Sequence, residues 1–323
     1  MALHDTAWFE AQYNNRARVV AAPDILAGWA RASALARSRV ACTLDVPYGS
    51  EPGETLDIFA APVSRRRGGP ATAGAAVLVF IHGGWWRSLD KADHSFIAPP
   101  FVQAGALVLL PNYALCPAVG IGQIVLQTTR ALAWVWRHAA QHGGDPARIF
   151  VIGHSAGGHL AAMLLCCDWP AVQPDLPPAL LAGAMSISGV FDLAPLRRAP
   201  FLQADLRLTP ADVQRLSPAR LPPPPGPLLA LVGGDESAEF LRQNRLIRRR
   251  WGAHSVPVCR ALPGLNHFTV LHDLVDPAGN AHQQALQLMG LPCERGHVGL
   301  VQAEGATGHA HGQPVEPGRR HGQ

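Results

Sequence analysis

Lysine is nearly missing from this chain of 323 residues: Lys91 is the only one, and the other basic side chains are arginines. The formal charge is only +4. Two runs, Arg65-Arg66-Arg67 and Arg248-Arg249-Arg250, concentrate basic charge. Neither is interleaved with aromatics on a recognisable nucleic-acid module, so both are read as solvated loop or helix-end charge and no nucleic-acid partner is expected. Paired cysteines are also missing. Cys42, Cys116, Cys166, Cys167, Cys259 and Cys293 form no C-x-x-C motif, which fits free thiols in a reducing compartment. No apolar run approaches the roughly 20 residues that a membrane-spanning helix needs. Met1 to Glu10 lack the apolar stretch of a secretory leader, and a cytoplasmic location without membrane association is expected.

Apolar material is plentiful. With 48% hydrophobic and 15% charged residues, the chain can bury one large core. Its length suggests about two domains, but α/β enzymes of this size are often one. The expected division is a single domain over 1–294, a cap-like insertion at about 191–227, and a disordered tail over 295–323. The tail is rich in Gly, His, Gln and Pro without periodicity. Its His309 and His311 are not expected to form a functional metal site.

Strand-like apolar runs recur along the chain. They are expected near Ala41–Pro47, Thr55–Ala60, Ala76–Ile81, Ala106–Leu110, Arg148–Ile152, Ala182–Ile187, Pro227–Val232 and Pro257–Ala261. Most are continuously apolar, as in parallel strands covered on both faces. Helical periodicity lies between them. Ile25, Leu26, Trp29, Ala30 and Ala34 mark one apolar face in an N-terminal helix through Arg37. Residues from Ile121 to Ala139 mark another, ended by Gly143-Gly144-Asp145-Pro146. Ala156–Cys167 forms a third, and Ser64–Ala75 reads as a loop. The alternation predicts a mostly parallel, doubly wound sheet with helices on both faces.

Two strand ends carry chemistry. Ala76–Ile81 runs into His82-Gly83-Gly84, and the strand near Arg148–Ile152 runs into Gly153-His154-Ser155-Ala156-Gly157. The second is a G-x-S-x-G turn, whose glycines allow a sharp strand-to-helix reversal that projects the Ser155 hydroxyl. An alcohol needs a base, and the base needs an orienting carboxylate. In the order Ser, acid, His, the strand near Pro227–Val232 is followed by Gly233-Gly234-Asp235 and the strand near Pro257–Ala261 by Asn266-His267-Phe268. Ser155, Asp235 and His267 are therefore the expected catalytic residues. Glu236 and Asp192 remain alternatives for the acid. His154, His159 and His272 are read as packing or hydrogen-bonding residues. The N–H groups of Gly84, Trp85 and Ala156 are expected to form the oxyanion hole, the last at a helix N-terminus that favours an anion. His82 is expected to brace that loop. Trp85 and Trp86 are expected to wall a substrate pocket, with one of the two packing beneath the loop. The implied enzyme is a serine hydrolase of small molecules, with no metal and no cofactor; the oligomeric state is left open, a homodimer included.

These residues resemble the kynurenine formamidase (arylformamidase) branch of the α/β-hydrolase fold, near the hormone-sensitive-lipase-like esterases. The resemblance runs from Tyr13-Asn14-Asn15-Arg16-Ala17 to about Leu291. It passes through His82-Gly83-Gly84-Trp85-Trp86, the segment Gly153 to Ala161, Ile187-Ser188-Gly189-Val190-Phe191-Asp192-Leu193, Gly234 to Phe240, and Asn266-His267-Phe268. It implies hydrolysis of N-formyl-L-kynurenine to L-kynurenine and formate, a step of tryptophan breakdown, through a formyl-enzyme on Ser155. The chain departs from the family pattern at Trp85, where Tyr is often expected, and in its tail. The alternative reading is a broad-specificity carboxylesterase for short acyl esters. A catalytically dead binding module would not need Ser155 and its partners. A metal-dependent formamidase would need clustered ligand spacing that the folded portion does not carry.

Overall fold

A computed structural model describes residues 5–60, 74–293 and 322, and the main compact unit of the chain spans Met1–Cys293. Most of the expected loop at Ser64–Ala75, the cluster Arg65-Arg66-Arg67 and, Gly322 aside, the expected tail lie outside the described residues. All eight expected strands form: β1 (Cys42–Pro47), β2 (Thr55–Phe59), β3 (Ala75–Ile81), β4 (Leu107–Pro111), β5 (Gly144–His154), β6 (Gly183–Ile187), β7 (Leu228–Gly233) and β8 (Val258–Leu262). They make one sheet in the order β1-β2-β4-β3-β5-β6-β7-β8. The β1–β2 and β2–β4 pairs are antiparallel, and every pair from β4–β3 to β7–β8 is parallel.

The parallel strands are apolar on both sides because both sides are covered. In β3, Val77, Val79 and Ile81 join one core while Leu78 and Phe80 join the other, as the two-residue period of a strand requires. The helices are α1 (Thr6–Tyr13), α2 (Asn15–Arg18), α3 (Ala22–Arg39), α4 (Ala98–Gln103), α5 (Ile121–His138), α6 (Ala156–Leu165), α7 (Trp169–Val172), α8 (Pro200–Leu206), α9 (Pro210–Leu216), α10 (Ala238–Ser255), α11 (Val270–Val275) and α12 (Asn280–Met289). Side chains of α5, α6 and α10 fill the first core, and those of α3, α4, α11 and α12 fill the second. None of the helices among the described residues is long and apolar enough to cross a membrane. The six cysteines are free thiols.

The N-terminal region differs from the expected single helix: it is broken into α1, α2 and α3. Asn14 supplies the break, ending α1 and capping α2 with its side chain. The buried face of α3 also differs from the expected stripe. Ala22, Trp29, Ser33 and Ala36 are buried while Ala30 and Ala34 are exposed. Ser33 can take a core position because its Oγ accepts the Phe96 N–H at 3.1 Å. After α5, a short 3-10 turn (Ala139–His142) ends at Gly143, whose φ of 82° lets the chain reverse into β5.

Candidate active site

The carboxyl ends of β3, β5, β7 and β8 place four loops together. Ser155 lies between β5 and α6 with φ 57° and ψ −116°, a strained conformation for a residue with a side chain. Its backbone N–H is held by the Ile187 carbonyl at 2.8 Å. The flanking glycines answer to close approach. A Cβ on Gly153 would lie 2.0 Å from the Gly157 carbonyl oxygen, and one on Gly157 would lie 2.0 Å from that of Ile81. Only hydrogen fits at either position, so the turn keeps its shape and its serine points outward.

His267 follows β8 in a turn that Asn266 organises: its Oδ1 accepts the N–H groups of Phe268 and Thr269 at 2.9 and 3.0 Å. The imidazole Nε2 lies 3.0 Å from Ser155 Oγ, and Nδ1 lies 2.6 Å from a Glu236 carboxylate oxygen. A carboxylate can only accept, so Nδ1 carries the proton and Nε2 presents its lone pair to the serine hydroxyl. The ring is packed by Phe240 at 4.7 Å and His154 at 4.9 Å, and His154 Nε2–H donates to the His267 carbonyl at 2.8 Å. Burial holds the His154 imidazole well below its ordinary value.

The acid is the correction. Asp235, expected to orient the histidine, is exposed, and its backbone N–H is fixed to the Leu265 carbonyl at 3.0 Å. The adjacent Glu236 turns inward and is buried. One of its oxygens accepts the Gly233 N–H at 2.8 Å and the Ser188 hydroxyl, and the other meets His267. The extra methylene lets a carboxylate one position later in the turn reach the imidazole. Asp192, the other alternative, instead accepts from Ala194 N–H and pairs with Arg220.

The His82-Gly83-Gly84 loop abuts the serine: a Cβ on Gly83 would come within 3.0 Å of Ser155 Cβ. His82 Nδ1–H donates to the Gly83 carbonyl at 2.8 Å, and its ring stacks on Tyr113 at 4.3 Å. Gly84, Trp85 and Trp86 all have positive φ, at 101°, 55° and 55°. This winding separates the tryptophans. Trp85 lines the cavity above Ser155, whereas Trp86 is fully buried and packs edge-on against His159 at 5.0 Å. Trp86 therefore supports the loop from beneath and is not a wall of the pocket. Ala156 is the first residue of α6, where the backbone N–H has no partner within the helix.

A cavity of about 290 Å³ contains Ser155, His267, Gly84 and Trp85. The segment 191–227 enters it through Phe201 and Asp205 of α8. Asp205 pairs with Arg87, whose guanidinium also donates to the Phe201 carbonyl at 2.7 Å. Asn15, Arg16, Leu26 and Trp29 line it from the N-terminal region. Tyr13-Asn14-Asn15-Arg16-Ala17 is the one sequence signal for that contribution, and by itself it assigns no role.

A family profile described as alpha/beta hydrolase fold matches residues 78–225. A crystal structure from Silicibacter sp. TM1040, of a candidate thioesterase, superposes with a TM-score of 0.72 at 28% identity, covering 84% of this chain and 97% of its own. Esterase LipQ of Mycobacterium tuberculosis is 35% identical over 164 residues, 49% of this chain and 37% of the esterase. The kynurenine formamidase of Danio rerio is 30% identical over 248 residues, 75% of this chain and 80% of the fish protein. The chain belongs to the kynurenine formamidase family. As a member of that family it is an α/β-hydrolase enzyme, and the expected fold class stands. Within this kynurenine formamidase relative, sequence reading missed the preference for Glu236 over Asp235 and the contribution of Asn15, Arg16, Arg87 and Asp205 to the cavity.

Proposed function

We propose that this enzyme hydrolyses N-formyl-L-kynurenine to L-kynurenine and formate, with Ser155 as nucleophile, His267 as base and acid, and Glu236 as orienting carboxylate. The hydrolytic chemistry rests on the unbroken chain of contacts from Ser155 Oγ to His267 Nε2 at 3.0 Å and from His267 Nδ1 to Glu236 at 2.6 Å, at the cavity, and the choice of substrate is supported by the 30% identity over 248 residues to the kynurenine formamidase of Danio rerio. Ser155 Oγ attacks the formyl carbon while its proton passes to His267 Nε2. The Glu236 carboxylate stabilises the imidazolium so formed. The tetrahedral oxyanion is held by the N–H groups of Gly84, Trp85 and Ala156, aided by the N-terminus of α6. The imidazolium then protonates the aniline nitrogen, the C–N bond breaks, and L-kynurenine leaves a formyl ester on Ser155. Water, deprotonated by His267, attacks that ester and releases formate, restoring the serine hydroxyl.

The second reading is a carboxylesterase for short acyl esters, favoured by the similarity to esterase LipQ. The same relay serves both leaving groups, so the cavity and not the triad decides between them. The test is kcat/KM for N-formyl-L-kynurenine against p-nitrophenyl acetate. The formamidase reading expects a strong preference for the formamide. Efficient ester turnover with negligible formamide turnover would replace it with the esterase reading.

A further inference from the structure

We propose that the corner of the cavity formed by Asn15 and Arg16 is a subsite for a carboxylate on the substrate, remote from the bond that is cut. The inference rests on the hydrolase reading of Ser155 and names the class of substrate that site selects: formamides or esters with a carboxylate-bearing tail.

Charge around the cavity is the first support. Its lining holds two arginines, Arg16 and Arg87, and one carboxylate, Asp205. Arg87 and Asp205 neutralise each other. Arg16 is exposed and pairs with no carboxylate among the described residues. The uncompensated charge of the lining is thus a single guanidinium, whose forked N–H donors match a carboxylate.

The second support is independent of charge. Asn15, the neighbour of Arg16 in the same wall, is 4% exposed, and its Nδ2 has no hydrogen-bond partner among the described residues. Buried side-chain amides are ordinarily satisfied, and an orphaned donor at a cavity wall asks for an acceptor. No bond holds the amide nitrogen, which is itself buried, and the terminal torsion of asparagine is broad; the proposal requires a rotation about χ2 that turns this amide toward a bound carboxylate. A carboxylate seated on Arg16 supplies the missing acceptor. A neutral acyl chain would leave both groups unused. N-formyl-L-kynurenine has the required pair of groups, a formyl group for Ser155 and an amino-acid carboxylate at the other end of the molecule, and Ser155, Asn15 and Arg16 line the same cavity.

The test compares Arg16→Gln and Asn15→Ala with wild type on matched pairs: N-formyl-L-kynurenine against formanilide, and mono-p-nitrophenyl succinate against p-nitrophenyl acetate. Arg16 is exposed, so Arg16→Gln leaves the fold intact. It should raise KM for the carboxylate-bearing member of each pair by roughly tenfold or more, the value of a charge-assisted hydrogen bond, with kcat little changed. Formanilide and p-nitrophenyl acetate should be unaffected, and L-kynurenine should inhibit wild type more strongly than the variant. Asn15→Ala should shift the same ratio in the same direction. An unchanged preference for the carboxylate-bearing over the carboxylate-free substrate in Arg16→Gln, or an equal loss on both members, overturns the subsite. Failure of the formamidase reading has a different signature: wild type turns over neither formamide, while the ester pair still reports on Arg16.

Discussion

The assignment of the acid turns on one methylene and one backbone hydrogen bond. Asp235 and Glu236 are adjacent carboxylates after β7, and both satisfy the order serine, acid, histidine. Which one faces inward depends on the Asp235 N–H bonding to the Leu265 carbonyl, a contact between two loops that no local pattern in the sequence reveals. Glu236 is then fixed by Gly233 N–H and Ser188, the latter in a strained conformation with φ 54°. Glu236→Gln should lower kcat by orders of magnitude, because the amide no longer stabilises the imidazolium. Asp235→Asn should leave kcat close to wild type; steady-state kinetics on either substrate class distinguishes them, and the reverse ranking would return the role to Asp235. By contrast, Ser155 and His267 are legible in the sequence because each sits in a turn whose neighbours are dictated by geometry. Gly153 and Gly157 cannot carry a Cβ, and Asn266 must cap its own turn. The tryptophan pair is half legible: one is expected to pack beneath the loop, but only the winding of two consecutive positive-φ residues decides that it is Trp86.

At the scale of elements, strands are easier to read than helices. A strand buried on both faces is a short continuous apolar run, and β3, β5, β6 and β7 announce themselves in that way. Their order in the sheet, with parallel pairs from β4–β3 to β7–β8 and an antiparallel entry through β1 and β2, requires crossover connections that the alternation of strands and helices supplies. The N-terminal helices obey other constraints. Asn14 splits α1 from α2, and the face of α3 is chosen by what it covers, including a buried serine that a search for apolar periodicity passes over. The contribution of α2 and α3 to the cavity is equally hidden, since it brings residues 15–29 against residues 154–268 across the whole length of the fold. The segment 191–227 reads as a cap from its turn-rich composition. Within that segment, Phe201 and Asp205 of α8 line the cavity, and the Arg87–Asp205 pair ties α8 to the loop that carries Trp85.

Across the whole molecule, burial of neutral imidazoles ties stability to pH. Desolvation lowers His82 and His154, and takes His159 down to about 4 and His94 to about 3, from an ordinary value of 6.5. Each of these rings binds a proton less readily folded than unfolded. Between about 6.5 and the folded value the unfolded chain therefore carries more protons, and stability falls as pH falls. Each ring contributes up to about 1.4 kcal/mol per pH unit within its window. Urea unfolding at pH 7 and pH 5 should show a clear loss of stability at the lower pH, and His159→Gln should flatten that dependence. Equal stability at the two pH values would mean that these rings are not buried neutral. The proposed relay of Ser155, His267 and Glu236 is tested most directly by formate release from N-formyl-L-kynurenine with wild-type protein and with Ser155→Ala. The account predicts turnover by wild type and its abolition in a variant that keeps the wild-type thermal transition. Undiminished formate release by folded Ser155→Ala would contradict it.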